Sequence, residues 1–392
     1  MDNNDTLINN TLDRISKYKN QKQELTTIQK LESNLELLLK RVESLESKYV
    51  YETFYFNKFQ NKINENINIL KQINKKQQDI FFLAIQVHIS LENQDEVRKC
   101  FFSSLNPNKK ELLDIHEGSS TLLRIFDEIC RKNDINYFIT AGSMLGAIRG
   151  RNPIPWDDDL DIGIMKNDFY KLFKIINSDL YPEIYLQNTI ISSERGLKAF
   201  VHRLYFKPNV SNHVEDLIRS PFLDIFTYFY TDNILPQTFE DVIDFKIEIS
   251  KQLDLIYKKE LRYIKKSSIL NERVMEILND IDGLFYRRFP LFGEPNKNGG
   301  VILWGRNIYD TKQIKKLSFS YDEVFPLRDV PYGDFNAKTI NKAEYFLNKR
   351  YGDIFYMPND LLKPKHGIIK NYRQWIDNQK IAIKEIKSKR GW

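Results

Sequence analysis

Four aspartates crowd into five residues: Asp157, Asp158, Asp159 and Asp161, between Pro155-Trp156 and an apolar run that begins at Ile162. Carboxylates packed so closely repel one another, and the crowding is a cost unless something positive offsets it. A β-strand points alternate residues to one face. That puts Asp157, Asp159 and Asp161 on one side and Asp158 on the other with Leu160 and Ile162. Asp159 and Asp161 are the pair best fixed by the strand that follows. About 7 Å apart along it, they can converge on a hard cation. Mg2+ (or Mn2+) takes one or two carboxylates together with substrate phosphate oxygens and water, and such an ion would offset the repulsion. An isolated Asp-x-Asp is more often a solvated acidic turn, so the surroundings decide between the two.

Upstream, Ile135 to Thr140 reads as a short β-rich strand, followed by a Gly-Ser turn and a short helix that begins near Ser143. Gly142 lets the backbone approach a phosphate, and a helix N-terminus directs N–H groups at it. Downstream, "PFLDIFTYFY" (221–230) reads as another strand, with Asp224 flanked by apolar residues. A carboxylate there is costly unless it is paired or bound to metal. Strand, Gly-Ser, helix, Asp-x-Asp strand and a further Asp on a separate strand is the order of a nucleotidyltransferase-type site. Other chemistry-bearing residues have plainer readings. Trp156 shapes the loop by packing, His202 is structural, His366 beside Lys363 and Lys365 is a surface residue, and Tyr351-Gly352 build a turn.

The stretch "GSMLGAIRGRNPIPWDDDLDIGI" resembles the signature of the LicD family, phosphocholine and related phosphotransferases that share ancestry with the fukutin-type enzymes. The two halves of its pattern fall at 142–149 and 154–161, with Met144 in place of the more usual leucine, a volume-conserving change. The family's Ile-Asp-Ile-Phe element is matched by "LDIF" at 223–226, and its closing Tyr-Gly-Asp element by "YGDIFYMP" at 351–358, with His366 after it. The resemblance covers roughly 112–370. It leaves out the N-terminal helices, is weak over 236–300, and matches the family's Lys-x-x-x-Arg only loosely, in "KAFVHRLYF". It implies a nucleotidyltransferase-like fold and Mg2+-dependent transfer of a phospho-alcohol from a CDP-linked donor to a sugar hydroxyl. It also implies roles: Asp157, Asp159, Asp161 and Asp224 as metal ligands, with Asp224 otherwise taking the acceptor proton. Gly142, Ser143, Arg149, Lys198 and Arg203 would serve on the donor.

The elements that must position these residues are legible in outline. With 392 residues, 42% of them apolar, the chain can build two domains or one with an elongated accessory region. Residues 20–90 contain almost no glycine or proline and carry a heptad: Ile28, Leu35, Val42 and Tyr49 at one core position, Leu31, Leu38 and Leu45 at the other, continuing through Phe56, Phe59, Ile63, Leu70, Ile73 and Ile80, with Glu52, Asn66 and Gln77 interrupting it. That pattern predicts a coiled coil that makes the protein a homo-oligomer; an intrachain hairpin is the competing reading. A helix is expected from about Leu112 to Lys132 and a helical insert over 236–290. The expected architecture is α+β: residues 1–105 helical, and 106–392 a catalytic domain with a mixed sheet and flanking helices.

A net charge of +6 without a dense basic stripe argues against nucleic acid. Cys100 and Cys130 make no C-x-x-C pair, so neither a zinc site nor a disulfide framework is expected. The polar N-terminus and the short apolar runs predict a cytoplasmic protein, with room for peripheral contact at the inner face of a membrane. The partners expected are a CDP-linked donor and a glycan acceptor. A metal-dependent glycosyltransferase and a non-catalytic coiled-coil assembly protein are the alternatives.

Overall fold

In the computed structural model the described residues are 53–89, 94–107, 110–178, 180–192, 197–207, 222–231, 236–290, 292–293, 299–304, 311–356 and 373–392, with 33, 34 and 36. They fall into two compact units, one within 1–102 and 355–363, the other within 103–354 and 364–392. The first contains α1 (Thr53–Ile89) and α2 (Gln94–Ser103). Freedom from glycine and proline allows α1 its length. Phe81, Phe82, Phe101 and Phe102 form an edge-to-face cluster with ring centroids 5.3–5.5 Å apart. Of the heptad residues, Ile63 is buried, whereas Ile73 and Ile80 are exposed. The part of the heptad from Ile28 to Tyr49 lies outside the described residues, as do Lys363, Lys365 and His366.

The second unit is a mixed sheet with flanking helices. Its elements in chain order are α3 (Lys110–Lys132), β1 (Tyr137–Ile139), α4 (Ala141–Gly150), β2 (Asp161–Met165), α5 (Lys166–Ile176), β3 (Ile184–Ser192), β4 (Lys198–Phe206) and β5 (Leu223–Thr231). Then come α6 (Pro236–Lys259), α7 (Ser267–Arg288), β6 (Gly300–Trp304), α8 (Thr311–Lys316), β7 (Phe319–Ser320), α9 (Tyr321–Val324), the hairpin β8 (Arg328–Tyr332) and β9 (Phe335–Thr339), α10 (Ala343–Tyr351) and α11 (Arg373–Arg390). The sheet runs β1-β2-β5-β4-β3. Its one parallel pair among the described strands is β2 with β5, and β6 pairs with the second half of β5 beyond the end of its pairing with β4.

Strand β5, buried along most of its length, has neighbours on both edges, which explains the near-continuous apolar run "FLDIFTYFY". The expected insert over 236–290 proves to be two helices, α6 against β4 and α7 against β3. Between α5 and α7 lies a buried ion pair, Lys166 Nζ to Asp282 Oδ2 at 2.9 Å. Burial pulls the Lys166 pKa down despite that partner. Nearby, buried His202 bonds through Nδ1 to Asn188 Oδ1 at 2.6 Å, and burial holds its pKa well below 6.5. Its role is structural, as read from the sequence. No helix among the described residues is long and apolar enough to cross a membrane.

Candidate active site

Strand β2 begins at Asp161, two residues later than the alternation of the aspartates suggested; Asp157 to Leu160 are irregular backbone leading into it. The alternation nevertheless survives in burial. Asp158 and Leu160 are 1% exposed, while Asp157 and Asp159 are half-buried. Asp161 is directly opposite Asp224 in the parallel β2–β5 register, which sets two carboxylates side by side on neighbouring strands about 4.8 Å apart. Asp159, arriving from the loop, completes the group: carboxylate oxygens of Asp159, Asp161 and Asp224 all lie within 4.8 Å of one another. Three oxygen donors so close fit a hard divalent cation, which can accept several carboxylates at once.

The backbone of Asp161 is held from both sides. Its N–H donates to Ser143 Oγ at 2.7 Å, and its carbonyl accepts from the Thr140 N–H at 3.0 Å. Thr140 links β1 to α4, and Ser143 lies in the first turn of α4. Ala141 there has φ +49, the left-handed region that a residue with a Cβ enters at a cost, and such strain gathers at functional sites. Ser143 thus anchors the strand that carries Asp161. At Gly142, an added Cβ would lie 2.4 Å from Asp157 Oδ2; the missing side chain makes room for that carboxylate at the first turn of α4. Asp157 therefore faces the helix N-terminus, where negative charge is favoured, and is not among the three carboxylates that converge.

Gly142→Ala should push Asp157 off this position and slow turnover by about tenfold, the lower end of what disturbing a supporting contact costs. In that background Asp157→Ala should add little, because the contact is already gone. A double-mutant cycle of turnover rates checks this; strictly additive losses would separate the two residues.

His116, on α3, is a site residue that no sequence motif pointed to. Its Nε2 is 2.8 Å from the Asp157 carbonyl oxygen and donates to it, tying the aspartate loop to α3. Burial lowers its pKa, with the Asp157 carbonyl and the Asp158 charge opposing. Tyr332, at the end of β8, and Tyr351, at the end of α10, also face the aspartates. Both phenols are raised mainly by burial, and further by Asp157, Asp159 and Asp161; Tyr351 reaches about 12. Tyr351 belongs to the Tyr-Gly-Asp element, for which the sequence suggests a turn and a packing contact with an indirect role in the site. Part of its ring is exposed, while its hydroxyl stays in the field of the acidic group.

The cations divide. Arg203 lies opposite Asp224 in the β4–β5 register and donates from Nε to Asp224 Oδ1 at 2.8 Å, its guanidinium centre 3.9 Å from the Phe222 ring. Arg149 is 4% exposed, donates to the Ile354 carbonyl at 3.4 Å and lies 5.5 Å from the Trp156 ring. Burial lowers its pKa to about 10, against the pull of Asp157, so it stays charged at neutral pH. Lys198 lies elsewhere: five residues along β4 from Arg203, roughly 17 Å away. There its Nζ donates to Ser192 Oγ at 2.7 Å and lies 3.8 Å from the centre of the Tyr257 ring.

A carboxylate group on paired strands beside a strand–turn–helix is the arrangement expected from the order of these elements in the sequence. Residues 134–255 match the family model described as LicD/FKTN/FKRP, nucleotidyltransferase domain. Over those residues the chain carries a LicD-type domain. It is 43% identical over 97 residues to an uncharacterized protein of Rickettsia typhi, a stretch that is 24% of this chain and 30% of that protein. It is 40% identical over 52 residues, 13% of this chain and 19% of the relative, to the lipopolysaccharide cholinephosphotransferase LicD of Haemophilus influenzae. The match thus spans less than a third of the length of either relative.

Proposed function

We propose that the protein transfers a phospho-alcohol, such as phosphocholine, from a CDP-linked donor to a hydroxyl of a cell-surface glycan. The observation that carries this reading is the convergence of Asp159, Asp161 and Asp224 within 4.8 Å, in a domain of the LicD family. The name of the Haemophilus influenzae relative supports the substrate class. The three carboxylates would hold Mg2+ or Mn2+, which supplies charge neutralisation for the donor pyrophosphate and the departing nucleotide.

The chain's own residues then have distinct tasks. Ser143 and Thr140 fix Asp161 through its backbone. Arg203 holds Asp224 in place through an ion pair, and Asp224 acts as a ligand beside Asp159 and Asp161. Arg149 braces the loop carrying the aspartates against Ile354. In the reaction the acceptor oxygen forms a bond to the alcohol-bearing phosphorus. The bond from that phosphorus to the bridging oxygen breaks, and CMP leaves with the electron pair. The hydroxyl proton passes to solvent or to a base on the substrate side.

A nucleotide-sugar glycosyltransferase could use a similar ligand set, and the leaving nucleotide separates the two. Incubating the full chain with a panel of CDP-alcohols, a glycan acceptor and Mg2+ should release CMP. Release of a nucleoside diphosphate from nucleotide sugars, with the CDP-alcohols untouched, would replace this reading with the other.

A further inference from the structure

Away from the acidic group, the turn joining α6 to α7 exposes cations and apolar side chains together. Between Lys258 and Lys266 come five cations, Lys258, Lys259, Arg262, Lys265 and Lys266, all exposed. Of the carboxylates nearby, Glu260 is bound by Arg273 at 2.6 Å and Asp254 by Lys258 at 2.6 Å, and with exposed Glu272 counted as well the surface keeps a positive excess. Among these cations stand three bulky side chains turned outward: Leu255 at 56% exposure, Tyr263 at 61% and Ile269 at 50%. The turn is not loose chain. Leu261, Ser267 and Leu270 are buried beneath it, and the Glu260–Arg273 pair ties the end of α6 to α7.

The register fixes where this tip lies. Asp161, Asp224, Arg203 and Gln187 form one row across β2, β5, β4 and β3. Asn271, in α7, brackets Gln187: its Oδ1 accepts from the Asn188 N–H at 2.8 Å, and its Nδ2 donates to the Leu186 carbonyl at 2.9 Å. Further along α7, Asp282 reaches Lys166, just past the far end of β2. Helix α7 therefore runs away from the row of the acidic group, and the turn before it projects at the sheet end that carries Asp161 and Asp224. The lateral offset is about three strand spacings, roughly 14 Å.

We infer that this tip docks on the surface of an anionic lipid bilayer, with the acidic group at the same end of the sheet. Clustered lysines and arginines are drawn to acidic headgroups. Aliphatic and aromatic side chains interleaved with them enter the headgroup boundary. A soluble anionic polymer such as nucleic acid would use the cations but leave Leu255 and Ile269 without a role, which favours the bilayer. The docking rests on charge and exposure alone and does not depend on the proposed transfer.

Sedimentation of the full chain with vesicles tests it, using phosphatidylcholine alone and phosphatidylcholine mixed with phosphatidylglycerol. Binding is expected on the mixed vesicles, at least about tenfold weaker on the neutral ones, and reduced by added salt. The variant Lys258→Gln/Lys259→Gln/Lys265→Gln/Lys266→Gln should lose about tenfold or more, and Leu255→Ser/Ile269→Ser several-fold, with circular dichroism unchanged. Absence of binding to either vesicle, or binding indifferent to the four lysines, would overturn the inference. So would vesicle binding indifferent to Leu255 and Ile269 together with equally tight capture by single-stranded DNA, which would make the tip a polyanion site.

Discussion

Asp161→Asn is expected to slow CMP release at least about a hundredfold at saturating Mg2+, the scale of losing a principal electrostatic element of a site. The substitution keeps the side chain's shape. It leaves the backbone bonds to Ser143 Oγ and the Thr140 N–H in place, so the loss cannot be assigned to a collapsed strand. What disappears is one of three negative charges that lie within 4.8 Å of one another. Asp159→Asn should be severe as well, though less so if the loop that carries Asp159 can shift another donor inward. Steady-state rates with and without EDTA are the measurement. Turnover by Asp161→Asn at the wild-type rate, or wild-type turnover that survives EDTA, would remove the metal from the account.

The second large effect is at Asp224. It is 2% exposed, lies in register with Asp161 and is bound by Arg203. If it is a ligand, Asp224→Asn should abolish transfer and weaken Mn2+ binding together, each by about a hundredfold. Arg203→Leu should cost less, on the order of tenfold in metal affinity, as expected when a partner that orients a ligand is lost while the ligand remains. Were Asp224→Asn to abolish transfer with Mn2+ affinity intact, Asp224 would be the group that takes the acceptor proton, and the role assigned to Arg203 would fall with it.

Much of the fold was legible because local pattern and tertiary environment agree. Helix α3 shows its apolar spacing, and β5 its continuous apolar run. The stretch from 236 to 290, without glycine before Gly283 and rich in Lys, Glu, Leu and Ile, reads as helical, and it is largely so, apart from the turn between α6 and α7. The hairpin of β3 and β4 was not legible. Buried on both faces for much of its length, "KAFVHRLYF" shows no alternation, and its polar residues, Lys198, His202 and Arg203, are satisfied by Ser192, Asn188 and Asp224, partners that only the folded sheet supplies. The β8–β9 hairpin was missed for another reason: its turn at Gly333, with φ +62, docks on the Arg151 carbonyl, a contact no local signal announces.

At the site, Asp159, Asp161 and Asp224 could be paired from strand spacing and from the cost of a carboxylate in an apolar strand. Spacing could not separate Asp157 from Asp159, because both fall on the half-buried side of the alternation and only the folded loop sets Asp157 against Gly142. Its position over Gly142 depends on a helix start that only the folded chain defines. His116 and Tyr332 come from elements with no chemical signature of their own, and topology alone brings them to the aspartates.

The most direct test of the central claim is a titration of Mn2+ into the purified full chain, with free Mn2+ followed by its paramagnetic signal. The account predicts saturable binding to the wild-type chain that is lost in Asp161→Asn/Asp224→Asn while circular dichroism is unchanged. Equal Mn2+ binding by that folded variant would contradict it.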